Sequence, residues 1–231
     1  MKSVKNTFFV IIILSVLTNN LISQTSLSGG ADFVSRYLWR GIDFGNSFSV
    51  QPSVALAAGN FEIGFWGSYP FTNTSSGSEE MDLYASYTVS DFSLLFTDYY
   101  FPQSGRKYGS YKNEGGAHTL EVGLGYGGSE SFPLSVAAFV NVMNDPDNTI
   151  YFEVGYSTTI SEVGLGVFVG GTPGGDNAFY GTTEFNLINI GLKASKEIKI
   201  TEDFSLPVFS SYIVNPNTEI GHLLFGFSLG M

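Results

Sequence analysis

Residues 120–128 read LEVGLGYGG, and this stretch decides the fold. Leu120, Val122, Leu124 and Tyr126 alternate with Glu121, Gly123, Gly125 and Gly127. Successive side chains of a strand point to opposite faces, so one face is oily and the other holds a carboxylate and bare backbone. A soluble sandwich or ligand-binding barrel turns its apolar face inward and covers the outside with Lys and Glu. Here the polar face is mostly Gly, Ser and Thr with scattered carboxylates and hardly any Lys. Turning the assignment inside out, with the oily face toward lipid and the small polar face toward a lumen, accounts for both faces. An aromatic-rich soluble core shares the same period and is the competing reading.

The alternation recurs along the chain. It predicts strands near 31–40, 48–58, 61–69, 81–89, 92–101, 120–128, 134–142, 150–158, 163–170, 186–195, 205–214 and 222–231. In the first of these, Phe33, Tyr37 and Trp39 are expected on the lipid face, with Asp32, Arg36 and Arg40 opposite. In the tenth, Ile188, Ile190 and Leu192 are expected outward. Short turns at Gly59-Asn60, Ser90-Asp91, 127–132 and Ser161-Glu162 alternate with longer Gly/Ser/Asn/Pro-rich segments at 41–47, 70–80, 102–116 and 171–180. Short turns at one end and long loops at the other mark a bacterial outer-membrane barrel. The 195–204 connection is too long for a short turn unless the adjacent strands extend into it. Aromatics near strand ends, among them Tyr37, Trp39, Tyr69, Phe71, Tyr99, Phe101, Phe179 and Tyr180, suit interfacial girdles.

Composition agrees. Of 231 residues, 43% are hydrophobic and 13% charged, against about 25% charged in a typical soluble domain. There is no Cys, which removes disulfides, thiolate metal sites and a Cys nucleophile. Lys2 and Lys5 followed by the apolar run Phe8–Leu17 and small Ser23 read as a secretory signal peptide over 1–24, with the barrel at 25–231. Without Lys2 and Lys5, 8 basic side chains face 21 acidic ones, a net charge of −13. That excess argues against a nucleic-acid partner and is compatible with cations.

The expected fold is therefore all-β: an antiparallel transmembrane β-barrel of about 12 strands in a bacterial outer membrane. Its lumen would be lined by Glu62, Asp82, Glu121 and Glu153, with Arg36 and Arg40 as opposite charge. Two readings of that lining stay open. One is a salt-bridge lattice that stiffens a closed barrel; the other is a small porin-like channel for small solutes or cations. Inward glycines let Trp66, Tyr84, Tyr151 and Phe168 lie across facing backbone, or leave room for a solute. No cofactor or metal-ligand spacing is recognisable, and the only histidines, His118 and His222, sit near no serine motif, so the chain is not expected to be an enzyme. A structural or surface-interaction barrel with a closed lumen is the alternative to a channel, and an outer-membrane hydrolase is the least favoured reading.

At Val34–Gly41, VSRYLWRG, followed by Ser49–Ser53, SVQPS, the chain resembles the Gcw_chp family of uncharacterised bacterial proteins. LPVF at 206–209 running to Val214-Asn215-Pro216 adds to the likeness. The resemblance implies a secreted, β-rich, outer-membrane-type protein and brings no established activity. The final strand, with Leu223, Phe225, Phe227, Leu229 and Met231 in alternation, also resembles the C-terminal signal read by the outer-membrane assembly machinery. Membrane lipids and that machinery are thus the expected partners.

Overall fold

Every stretch of alternating side chains lies in a hydrogen-bonded ladder, with one departure at the first. The structure, a computed structural model, describes residues 25–72 and 79–230. The expected signal peptide and Met231 lie outside them. The strands are β1 Thr25–Val34, β2 Tyr37–Trp39, β3 Ile42–Gly45, β4 Ser49–Ala58, β5 Phe61–Pro70, β6 Glu80–Val89 and β7 Phe92–Tyr100. They continue with β8 His118–Tyr126, β9 Leu134–Met143, β10 Ile150–Ile160, β11 Val163–Thr172, β12 Asn186–Lys199, β13 Ser205–Asn215 and β14 Ile220–Gly230.

Twelve of these strands, β1 and β4 to β14, form a closed antiparallel barrel in which each pairs with its chain neighbours and β1 pairs with β14 on one side and β4 on the other. Closure leaves no unpaired sheet edge. The outer surface is apolar: Phe92, Leu124, Val167, Leu192 and Leu223 are all exposed, Leu124 to 65%. Phe33 and Phe227 stack on this face at 4.9 Å. A continuous oily wall of this extent far exceeds the patch a soluble monomer exposes.

Two-residue turns gather at one end and the longest loops at the other, with the four-residue 216–219 connection at the long-loop end as an exception. Gly59-Asn60, Ser90-Asp91 and Ser161-Glu162 close one end, Gly59 at φ 61° and the last pair at φ 48° and 69°. The long connection at 195–204 resolves as strand extension, β12 running to Lys199 and β13 starting at Ser205. Both ends of the described chain, Thr25 and Gly230, belong to the short-turn end.

The lumen face is small because rings from one strand lie on glycines of the next. An added Cβ at Gly191 would enter the Phe168 ring, at Gly170 that of Tyr151, at Gly64 that of Tyr84 and at Gly123 that of Phe139. Tyr84, Tyr151 and Phe168 therefore behave as expected. Trp66 packs instead against Tyr37, ring centroids 5.3 Å apart.

The departure is the stretch 31–40, which is not one strand. β1 stops at Val34, and the chain turns inward to build the β2–β3 hairpin inside the barrel. Arg40 and Gly41 make its two-residue turn with φ 49° and 77°. Both values are positive, which glycine tolerates freely, and a Cβ at Gly41 would collide with the carbonyl of Ile188. Arg36 and Arg40 are thus not wall residues of one strand. Tyr37 and Trp39 are not girdle aromatics either; Tyr37 is 5% exposed within the barrel.

A second correction concerns Ile188. The β11–β12 register shifts between Gly170 and Gly171, whose partners are Asn189 and Leu187. The extra residue turns Ile188 inward beside Asn189, and Ile188 is completely buried against Tyr151 and Tyr180, not facing outward with Ile190.

Candidate functional site

The hairpin reaches the wall on nearly every side. Tyr37 packs on Trp66 of β5, and Trp39 packs edge-on against Tyr99 of β7 at 5.8 Å. The Gly41 carbonyl accepts a hydrogen bond from Asn215 Nδ2 of β13 at 3.2 Å. Arg36 Nη1 donates to Nδ1 of His222 on β14 at 2.9 Å and to Asp43 Oδ2 at 2.8 Å, while its Nη2 donates to Asn46 Oδ1. An arginine has only donors, so Nδ1 of His222 is an acceptor here.

Arg40 is the deepest charge. It donates to both carboxylate oxygens of Glu121 on β8, at 2.6 and 2.9 Å, and to the Tyr180 hydroxyl at 2.6 Å. Tyr99 donates to Glu121 Oε1 at 2.9 Å. The guanidinium carbon lies 4.4 Å from the ring centres of Trp39, Phe139 and Tyr151. Side-chain exposure is 9% for Arg40 and 3% for Glu121, so the pair is withdrawn from water. Two-pronged, charge-assisted bonds and three ring faces offset that desolvation. Burial is the largest single influence and would lower the Arg40 pKa; the Glu121 hydrogen bonds, together with the charge of Glu121 and the Tyr180 and Tyr99 hydroxyls, outweigh it and hold the guanidinium above the ordinary arginine value. Burial pushes the Tyr180 hydroxyl up to about 12, with Arg40 opposing.

Two cavities lie on either side of Leu38 and Trp39. One, of about 530 Å³, is lined by Arg40, Glu153, Asn189 and Lys193 among apolar groups. Glu153 accepts from the Tyr151 hydroxyl at 2.5 Å and from Asn189 Nδ2 at 3.1 Å. The other, of about 470 Å³, is lined by Asp32, Tyr37, Trp66, Asp82 and Tyr84. Of the six residues expected to line the lumen, Arg40 and Glu121 are joined directly. Glu153 stands next to them through Tyr151, Arg36 lies at the base of the hairpin, before β2, and Asp82 is buried on the β6 wall. Glu62 stands apart, level with Ala57 and Ser86 near the short-turn end.

Nothing in the period-2 pattern marks Tyr99, Tyr180, Glu80 or Ser68 as site residues. Asp43 and Gly45-Asn46, a turn signal soon after Arg40-Gly41, were the available hint of a hairpin. Asp98 and His118, the latter weighed only as an enzymatic residue, face outward, in step with Phe96 and Leu120. His118 Nδ1 is 2.7 Å from Asp98 Oδ1, and its Nε2 is 2.5 Å from the Tyr108 carbonyl. Tyr111 stacks on the imidazole at 4.0 Å and donates to Asp98 Oδ2 at 2.7 Å. The 101–117 loop thus folds over the outside of the barrel wall, not into its lumen. Among the described residues, no group of three or more His, Asp and Glu side chains is placed to hold a metal ion.

The family model of Gcw_chp, a bacterial protein of unknown function, matches residues 19–202, and the chain belongs to that family. No curated protein matches the sequence. Among solved structures, one from a study of in-meso crystallisation of membrane proteins is 8% identical, with 89% of this chain and 83% of that one covered and a TM-score of 0.48. OccK9 (OpdG) of Pseudomonas aeruginosa is 10% identical over 89% of this chain and 71% of its own, TM-score 0.29. OccK2 (OpdF) of the same organism is 10% identical over 83% and 64%, TM-score 0.26.

Proposed function

We propose that this Gcw_chp chain is an integral barrel of a bacterial outer membrane, porin-like in architecture, whose lumen is closed against free diffusion by its own hairpin. Small solutes or cations then cross only when that hairpin moves. The oily outer wall supports the location, since a closed barrel is the β-architecture that satisfies its backbone within hydrocarbon. The observation that carries the closure is the hairpin's wall-to-wall seating, with Arg40 clamped to Glu121 on one side and Arg36 bonded to His222 on another. With lipids around it, β14 would be the strand offered to the outer-membrane assembly machinery.

The reading is non-enzymatic. Nδ1 of His222 is taken by Arg36, and the two ring nitrogens of His118 meet Asp98 and the Tyr108 carbonyl, so neither histidine stands free beside a nucleophile.

Planar-bilayer recording of the purified protein tests the proposal. The native chain should show rare or no steady conductance, and Arg40→Ala should show frequent openings. Large steady steps from the native chain, unchanged in the variant, would refute closure by the hairpin. Silence from both, in folded protein, would favour the second reading, a purely structural barrel with a blocked lumen, which the aromatic packing of Trp39 on Tyr99 and Tyr180 also supports.

A further inference from the structure

The inner face of β5 and β6 beside the hairpin holds three oxygens without a donor among the described residues, and the Glu80 and Asp82 carboxyl groups lie within hydrogen-bonding reach of each other. Ser68 and Glu80 are directly opposite each other in the ladder, and Asp82 follows two residues along the same face as Glu80. Ser68 is 0% exposed, Glu80 2% and Asp82 6%. Ser68 Oγ, Glu80 Oε2 and Asp82 Oδ1 find no hydrogen-bond partner among the described residues. The ion pairs of the described residues engage Arg36, Arg40, His118 and His222, with no basic group on Glu80 or Asp82.

Buried polar atoms of a native protein are nearly always satisfied, and a buried carboxylate needs a counter-charge. Directly opposed residues have Cβ atoms about 4.5–5.5 Å apart, close enough for their side-chain oxygens to converge on one ion. Two carboxylates and a hydroxyl are hard oxygen donors, the set that magnesium or calcium takes while keeping water in its remaining positions. We propose that Ser68, Glu80 and Asp82 form a site for a hard divalent cation. The ion balances the two carboxylates and occupies all three orphaned oxygens. Tyr37 of the hairpin hydrogen-bonds to Glu80, so the ion sits where the hairpin meets the wall. The competing account of the same geometry is a proton shared between the two carboxyl groups.

The test uses the full barrel, stripped with chelator, folded in detergent and titrated calorimetrically at neutral pH with calcium chloride or magnesium chloride alone. One saturable site per chain is expected. Asp82→Asn should weaken it at least tenfold and Ser68→Ala severalfold, while Glu202→Gln in the remote 200–204 turn should leave it unchanged. Ser68→Ala removes only one hydroxyl, so it keeps the test decisive if Asp82→Asn does not fold. No saturable binding below about 10 mM, a decade beyond the weak end of protein calcium sites, would overturn the proposal in favour of the shared proton. So would equal affinity in Ser68→Ala and the native chain. Neither outcome bears on conductance, so this site and the closed lumen stand or fall separately.

Discussion

The guanidinium of Arg40 and the carboxylate of Glu121, 81 residues apart in the chain, meet through two hydrogen bonds of 2.6 and 2.9 Å inside the barrel. The first belongs to a hairpin turn and the second to the wall, so the bond ties the plug to its housing. Arg40→Ala leaves a buried carboxylate unpaired. It should cost about 3–5 kcal/mol of barrel stability, whereas Arg40→Met with Glu121→Gln together should cost markedly less. Urea titration of the barrel in lipid vesicles measures both; equal losses would show that the pair is not an energetic unit.

If the hairpin can be displaced and takes Arg40 with it, the lumen that opens carries Glu153, with Lys193 lining the same cavity. Glu153→Gln combined with Arg40→Ala should therefore shift the reversal potential in a salt gradient toward weaker cation preference than Arg40→Ala alone. An unchanged reversal potential would remove Glu153 from the conducting path.

The outer wall distinguishes lipid from water as its surroundings. Val167, 47% exposed at the middle of β11, becomes a cation against hydrocarbon in Val167→Arg. The expected loss is about 2–4 kcal/mol in vesicles, the cost of a basic residue near the bilayer midplane. A loss below about 0.5 kcal/mol, the ordinary size of a surface effect, would mean that water covers this face.

Gly191 lies under the Phe168 ring, which in turn carries Lys193 Nζ 4.7 Å from its centre. Gly191→Ala should push that ring off the wall, costing about 1–3 kcal/mol of stability as in other overpacked sites. The barrel should still fold, visible as altered gel mobility without boiling.

The 101–117 loop is held to the outside of the wall by His118, Asp98 and Tyr111. His118→Ala leaves the Asp98 carboxylate short of one partner, a loss of about 1–3 kcal/mol confined to the loop. Trypsin should then cut after Arg106 and Lys107 severalfold faster than in the native chain, with the barrel itself resistant. Equal cutting rates would show that the imidazole does not hold the loop.

What the sequence by itself determined is the two-sided wall. Alternation in a strand is local, so LEVGLGYGG and its relatives specify which side chains share a face, and the near absence of Lys from the polar face says that the oily face is the one turned outward. The short turns likewise carry their own residues and order the strands around the barrel. Long-range choices are not written that way. VSRYLWRG alternates as well as any wall strand, and only the closed barrel shows it leaving the wall, because what draws it inward is Glu121, Tyr99, Trp66 and His222, supplied by strands distant in the chain. Ile188 changes sides through one extra residue in a ladder, which no period in the sequence records. His118 and Asp98 reveal a loop bent over the outside only when β7 and β8 are seen side by side. Pairing of near neighbours decided the wall; the filling of a shared interior, which every strand borders at once, decided the site.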